Sequence, residues 1–391
     1  MVESRQMVPK SLIFIIIFSC LFCLTGFVRA EVPGVEDAIQ KLIRSSDTVN
    51  FIGKRVQISY TPNGVAMREE LITRKAPDKK RIEILSPNEM KDLVIVVNGN
   101  EPGRGMIFNR KDNGRPGPDR RDGDRRMGRR PPFPPPPFNE IDELPVKNEQ
   151  TLLKNYNVLV LYGGHVARRT TYLLEIEPKI YNKPSRKVWM DTITGFPLKM
   201  EQYDRQNRLR WMFSYSEINF NPKINDALFK LQSPPPPPGR KPPPRPPDMG
   251  PHMDREHNEL WSFNKGKLDV NMIKKTTQMN LMIPEHLPLG FDLQSINLIR
   301  FDEHKSIHLV YSDGLTVLSA FQSPLGDERR REDRGWEHGN VGNMNIKGVN
   351  VEIISDGIMF IFRWKYNNVN MTLIGEQSLS EMVNIAGSFI K

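Results

Sequence analysis

The chain has 391 residues and a mass of 45.1 kDa, with 33 prolines, two cysteines and a net charge of +10. That length suggests about two folded domains. Two cysteines exclude a disulfide-stapled mini-domain and a Cys-rich zinc protein, and a single long apolar stretch excludes a polytopic membrane protein.

The apolar stretch comes first. Arg5 and Lys10 precede the run Leu12–Phe27, and Val28-Arg29-Ala30 ends on a small residue before Glu31-Val32-Pro33. Positive, apolar and small, in that order, describe a secretory signal peptide cleaved after Ala30. An uncleaved membrane anchor is the alternative, for which the run is short. Acylation at Cys20 or Cys23 is a weaker option, because Phe18 and Phe22 stand where small residues are expected. Both cysteines precede Ala30, so the exported chain must be stable through burial alone.

Next comes a helix. Val35, Ala38, Ile39, Leu42 and Ile43 share one helical face. The period then changes to two: Val56, Ile58 and Tyr60 alternate with Arg55, Gln57 and Ser59, which predicts a strand with the apolar set facing inward. Pro62-Asn63-Gly64 is a turn, and Val65–Arg74 pairs back as a hairpin. Lys80–Leu85, Leu93–Val97 and Gly105–Phe108 read as further strands, and Glu149–Tyr156 as a short helix. Asn157–Tyr162, Thr170–Ile176, Arg186–Asp191, Phe196–Tyr203 and Leu209–Glu217 are strands with tight connections, two of them at Thr192–Gly195 and Asp204–Asn207. About ten antiparallel strands in a meander with so few helices predict a strongly curved, open half-barrel with helices against its concave side.

Two low-complexity stretches interrupt this pattern. Arg110–Arg130 holds nine basic residues against four Asp and runs into Pro131–Pro137, and Ser233–His257 holds eleven prolines in twenty-five residues. Pro-rich segments favour extended polyproline II and bury too little to fold. The expected plan is a signal peptide over 1–30 and a half-barrel domain over 31–232, with a disordered Pro/Arg-rich loop at 103–138. A Pro-rich linker at 233–257 and a second domain over 258–391 complete it. With the positive surplus concentrated in the low-complexity stretches, the folded parts are nearly neutral, which argues against nucleic-acid binding.

In the second domain, Leu287-Pro288-Leu289-Gly290-Phe291 leads into a strand over Asp292–Ile299. His308–Phe321 reads as two strands joined at Ser312-Asp313-Gly314, and Ile358–Tyr366 pairs with Val369–Ile374 across Asn367-Asn368. A last helix starts at Ser378, with Glu381 three residues on as a capping box. The fold class expected is α+β, mainly β: a curved antiparallel half-barrel followed by a smaller α+β domain.

The run Val166–Pro178, the segment Trp189-Met190-Asp191-Thr192-Ile193-Thr194-Gly195-Phe196-Pro197-Leu198 and the turn Asp204–Leu209 resemble the RseB/MucB family. That family lies within the LolA/LolB-like lipoprotein-carrier superfamily. The Leu-Pro-x-Gly-Phe lead-in at 287–291 and the Tyr311-Ser312-Asp313-Gly314-Leu315 turn resemble its C-terminal domain. The resemblance covers most of 35–100, 145–232 and 281–391, and leaves out the Arg/Pro loop, the linker and the charged segment 326–338. It implies a periplasmic regulatory protein. Such a protein binds the periplasmic domain of an anti-sigma factor and senses a lipid-like envelope-stress ligand. The superfamily offers another reading, a carrier or chaperone that holds acyl chains in its concavity.

Candidate cleft residues are Val56, Ile58, Tyr60, Trp189, Met190, Trp211 and Phe213, each of which has ordinary core packing as its alternative. Arg120, Arg121, Arg125, Arg126, Arg129 and Arg130 read as a solvated run, or as a grip on anionic membrane headgroups or acidic partner segments. No catalytic, cofactor or metal site is expected. The Gly-x-Ser-x-Gly elbow, the phosphate loop and the His-Glu-x-x-His pair are all missing. His304 and His308 fall at a turn entering a strand, and Asp191 reads as a turn residue bonding its own backbone.

Overall fold

The computed structural model describes residues 32–61, 64–88, 90–91, 93–98, 109–110, 148–180, 183–229, 260–264, 280–301, 304–325, 340–355 and 359–391. The expected signal peptide, the Pro-rich linker, the strand Gly105–Phe108 and the Arg cluster 120–130 lie outside them. Among the described residues no helix is long and apolar enough to cross a membrane.

Helix α1 spans Val35–Thr48 and buries Ala38, Ile39 and Leu42, the stripe that its apolar spacing predicts. Glu36 and Asp37 sit in its first turn, where they complement the helix dipole. Five strands follow: β1 Phe51–Thr61, β2 Gly64–Lys75, β3 Lys79–Ser86, β4 Leu93–Asn98 and β5 Asn109–Arg110. Helix α2, Glu149–Asn155, is capped by Asn148, whose side chain accepts the Thr151 N–H. It leads directly into β6 Tyr156–Val166, β7 Arg169–Pro178, β8 Ser185–Asp191, β9 Pro197–Tyr203 and β10 Leu209–Phe220.

These strands form one ten-stranded antiparallel sheet in the order β5-β4-β3-β2-β1-β10-β9-β8-β7-β6. The expected single meander is corrected to two five-strand meanders joined through β1 and β10. Phe51 pairs with Phe220 and Ile58 with Met212 across that seam, with a bulge between Lys54 and Arg55. The edges are therefore β5 and β6, and β5 falls within 103–138, so the stretch expected as a disordered loop contributes a short edge strand paired with β4. With the first and last strands paired at the centre, the loop can be long without interrupting the ladder.

Both helices lie against one face of this sheet. Ala38, Ile39 and Leu42 from α1 and Leu152 from α2 share a core with Phe51, Ile72, Ile82, Leu174, Val188, Met190, Leu198, Phe213 and Tyr215. The sheet is open at both ends and does not close into a barrel.

A second antiparallel sheet has eight strands: β11 Leu260–Asn264, β12 Asp292–Phe301, β13 His304–Ser312, β14 Val317–Pro324, β15 Asn340–Ile346, β16 Val349–Ser355, β17 Phe360–Tyr366 and β18 Val369–Gly375. Asn367 and Asn368 both adopt positive φ, 47° and 59°, which suits the tight β17–β18 turn. Helix α3, Leu379–Phe389, packs Met382, Ile385, Ala386 and Phe389 onto this sheet. Ser378 Oγ accepts the Glu381 N–H at 3.0 Å, as the capping pattern predicts. The fold is α+β and mainly β.

Candidate functional site

The helix-covered face of the ten-stranded sheet is lined by aromatics. Trp211, Phe213 and Tyr215 project to the same side of β10, with centroids 5.5 and 5.9 Å apart. Phe51 extends the row from Tyr215 at 5.6 Å to Phe196 at 4.6 Å. Edge-on contacts of this kind add about 0.5–1.5 kcal/mol per pair beyond area burial. Met190, Trp211 and Phe213 all belong to this core and are buried.

The other four cleft candidates do not join them. In β1 the burial phase is the reverse of that expected from alternation. Arg55 and Gln57 are 2% and 6% exposed, whereas Val56, Ile58 and Tyr60 are half-buried on the opposite face. The register explains this: Gln57 stands opposite Phe213, and Arg55 opposite Tyr215 and Glu70. Ile58 stands opposite Met67 and Met212, and Tyr60 opposite Val65. Met67 and Val65 are 58% and 67% exposed, so this outer apolar stripe faces away from the helices.

Arg55 is tolerated inside because its charge is matched. Its Nε donates to Glu70 Oε2 at 3.1 Å, its guanidinium lies 5.2 Å from the Phe213 centroid, and Glu70 is fully buried. Arg68 pairs with the other Glu70 oxygen and donates to Gln57 Oε1 at 3.1 Å. Truncating one member of such a buried pair is strongly destabilising, because the other charge is left uncompensated. The helix-covered face therefore carries a polar patch beside the aromatic row. At their junction Trp211 Nε1 is buried and has no hydrogen-bond partner among the described residues.

Trp189 also lies on the outer face, opposite Leu173 and Lys199. The Lys199 ammonium sits 4.0 Å from its ring centroid. A Cβ at Gly163 would lie 3.0 Å from Trp189 Cδ1 and 2.9 Å from the Leu173 nitrogen. The indole thus covers a glycine at the β6 bulge, a packing role for the Trp of the Trp-x-Asp motif.

The Asp of that motif closes the β8–β9 turn. Asp191 Oδ1 accepts from the Ile193 N–H at 3.1 Å, the Thr194 N–H at 2.7 Å and the Thr194 hydroxyl at 2.9 Å. Arg169 Nε donates to Oδ2 at 2.6 Å. Burial alone would raise this carboxyl's pKa, but the bonds from Arg169 and Thr194 outweigh it and hold it below the usual carboxylate range. Gly195 follows at φ 75°, and a Cβ there would lie 2.6 Å from the Lys41 carbonyl, so the turn presses directly on α1. Lys41 Nζ completes the seam by donating to Thr192 O at 2.6 Å.

A second Asp turn, not singled out as a site by the sequence reading, joins the two sheets. Asp313 is fully buried. Its Oδ1 accepts from the Leu315 N–H, the Thr316 N–H and the Thr316 hydroxyl at 3.2, 2.9 and 3.1 Å. Its Oδ2 accepts from Tyr156 Oη at 2.8 Å and from Lys183 Nζ at 2.9 Å, both on the first sheet's side. Burial, then the Asp313 charge, drives the Tyr156 phenol pKa up. Asn155 Nδ2 donates to Gly290 O at 3.1 Å and Asp313 O at 3.0 Å. Leu315 is counted in the core of the first sheet. A second point of contact is Glu376, bonded by Gln202 at 2.8 Å and 3.6 Å from Arg186. The turn itself, though not its partners across the junction, was marked in the sequence by an Asp-x-x-Thr repeat, 191–194 and 313–316.

His308 lies in β13 with its ring stacked 4.1 Å from Phe321, and burial pushes its pKa down to about 4.

A search of curated proteins returned no match. Among solved structures, MucB in complex with MucA(peri) is 16% identical, covering 91% of this chain and 98% of that one, with a TM-score of 0.48. The MucA/MucB complex of Pseudomonas aeruginosa is 14% identical over 90% of this chain and 97% of that one, at 0.47. A LolA superfamily protein from Nitrosomonas europaea is 11% identical over 51% of this chain and 98% of that one, at 0.23. The family model for the MucB/RseB N-terminal domain matches residues 138–232, which span α2 and β6 to β10.

Proposed function

We propose that this chain is an exported, periplasmic regulatory binding protein of the MucB/RseB type. It binds the periplasmic segment of an anti-sigma factor and responds to a lipid-like ligand taken up at the helix-covered face of the ten-stranded sheet. The observation that carries the reading is the family match over 138–232, laid on a sheet whose covered face is aromatic and open at both edges. Such a face gains about 0.8 kcal/mol for each methylene it removes from water. The buried Trp211 Nε1 and the Arg55–Glu70–Arg68 patch offer a polar end for the head of an amphiphile. The organisation into signal peptide, half-barrel domain, linker and second domain belongs to this reading, as does contact of the Arg-rich loop with anionic membrane.

A LolA-type carrier of lipids or lipoproteins is the competing reading. The docking of the second sheet through Asp313 favours regulation, because a carrier needs only the half-barrel. The deciding experiment takes the full chain without residues 1–30 and the periplasmic segment of any one-span membrane protein found encoded beside its gene. Co-purification, with protection of that segment from protease, is the expected result. If no neighbouring one-span protein binds and lipoproteins co-purify instead, the carrier reading replaces this one.

A further inference from the structure

We propose that the Asp313 turn is a latch on α2, so that displacement of this helix from the covered face and undocking of the second sheet are a single event. The latch is built from both sides. From the first sheet's side come Asn155 at the end of α2, Tyr156 at the start of β6, and Lys183 before β8. From the other side come the Asp313 carboxylate and carbonyl, with Gly290 O and Leu289 O held by Asn155 and Lys183.

The fit at Gly314 leaves no independent movement. Its φ is +98°, and a Cβ there would lie 2.5 Å from the Leu152 nitrogen, so the turn backbone rests directly on the backbone of α2. Leu152 and Leu315, both essentially unexposed, enter the same core. The helix has seven residues, too short to hold its place by its own hydrogen bonds. Its position is therefore set by the sheet and by Gln40 of α1, which donates to Glu149 Oε2 at 2.7 Å, on one side and by the 312–316 turn on the other. The charges make the latch reversible: Asp313 and Lys183 regain water together on opening, which offsets the attraction they lose. Only the ligand arm of the test below rests on the function proposed above.

The test is hydrogen–deuterium exchange on the full chain without residues 1–30. In Lys183→Met, amides in 149–155 and in 312–316 should accelerate together by about tenfold, while those in 382–389 keep their protection and report an intact second core. Asp313→Asn keeps the Oδ1 turn bonds and should give the same paired effect. Acceleration of one segment without the other, or of neither in both variants, overturns the latch. In the ligand arm, saturation of the wild-type chain with 11-(dansylamino)undecanoic acid should change both segments in parallel. A bound probe that alters 149–155 alone also overturns the latch. Absence of probe binding removes the acyl reading instead, and the Lys183→Met arm still decides the latch.

Discussion

Asp191 and Asp313 close turns of the same construction in two different sheets. Each carboxylate accepts two backbone N–H groups and the hydroxyl of a Thr three residues on. Each also takes a cation on its second oxygen, Arg169 for Asp191 and Lys183 for Asp313. The difference is where the cation stands. Arg169 is in the strand beside its Asp, whereas Lys183 reaches Asp313 from the other sheet, so the same motif is a local turn in one place and a junction in the other.

Asp191→Ala should therefore cost about 2 kcal/mol in urea unfolding, since it removes bonds to a charged acceptor. The carboxyl is held below its ordinary range in the folded chain, so its contribution is present above about pH 4 and is lost as pH falls through that depressed value. The wild-type midpoint should drop on acidification below pH 4 more steeply than that of the variant. Equal slopes would mean that Arg169 does not stabilise the ionised form.

The face assignment of β1 makes a contrast testable with an acyl probe. Trp211→Phe keeps most of the ring volume and removes a buried N–H that has no partner among the described residues, so stability should stay within about 1 kcal/mol while probe affinity falls several-fold. Ile58→Asp, on the outer face, should leave affinity unchanged. A loss of affinity at Ile58 with Trp211→Phe neutral would place the ligand on the outer face.

Gly163→Ala should destabilise the first sheet by about 1–3 kcal/mol, because the added methyl meets Thr171 Oγ1 at 2.7 Å and the Leu173 nitrogen at 2.9 Å. Thermal unfolding measures this. A neutral result would show that the β6 bulge moves freely beneath Trp189.

His308 gives a pH signature of the opposite origin. Its folded pKa is near 4, below the ordinary 6.5, so the unfolded chain takes up a proton first as pH falls. Stability is complete above about pH 6.5 and declines toward pH 4 by at most about 3 kcal/mol. His308→Phe, stacked in the same place on Phe321, should flatten that decline. An unchanged slope would assign it to other groups.

Several features are local, and the sequence by itself determined them. The stripe Val35–Ile43 forms α1, Asn367-Asn368 turns β17 into β18, Ser378 caps α3, and Asp191 bonds its own turn; each depends on residues within a few positions of one another. The family resemblance drew on the same short-range segments.

Three decisions needed the tertiary structure. Alternation separates Val56 and Ile58 from Arg55 and Gln57, but it cannot say which set faces inward when Glu70 and Arg68 wait on a neighbouring strand to neutralise Arg55. The pairing of β1 with β10 joins segments about 160 residues apart, and antiparallel ladders carry no sequence mark of such a partner. The partner of Asp313 is a third case. Its own turn is written in Asp-x-x-Thr, but Tyr156 and Lys183 lie more than a hundred residues earlier, and only packing the two sheets together brings the charges into contact.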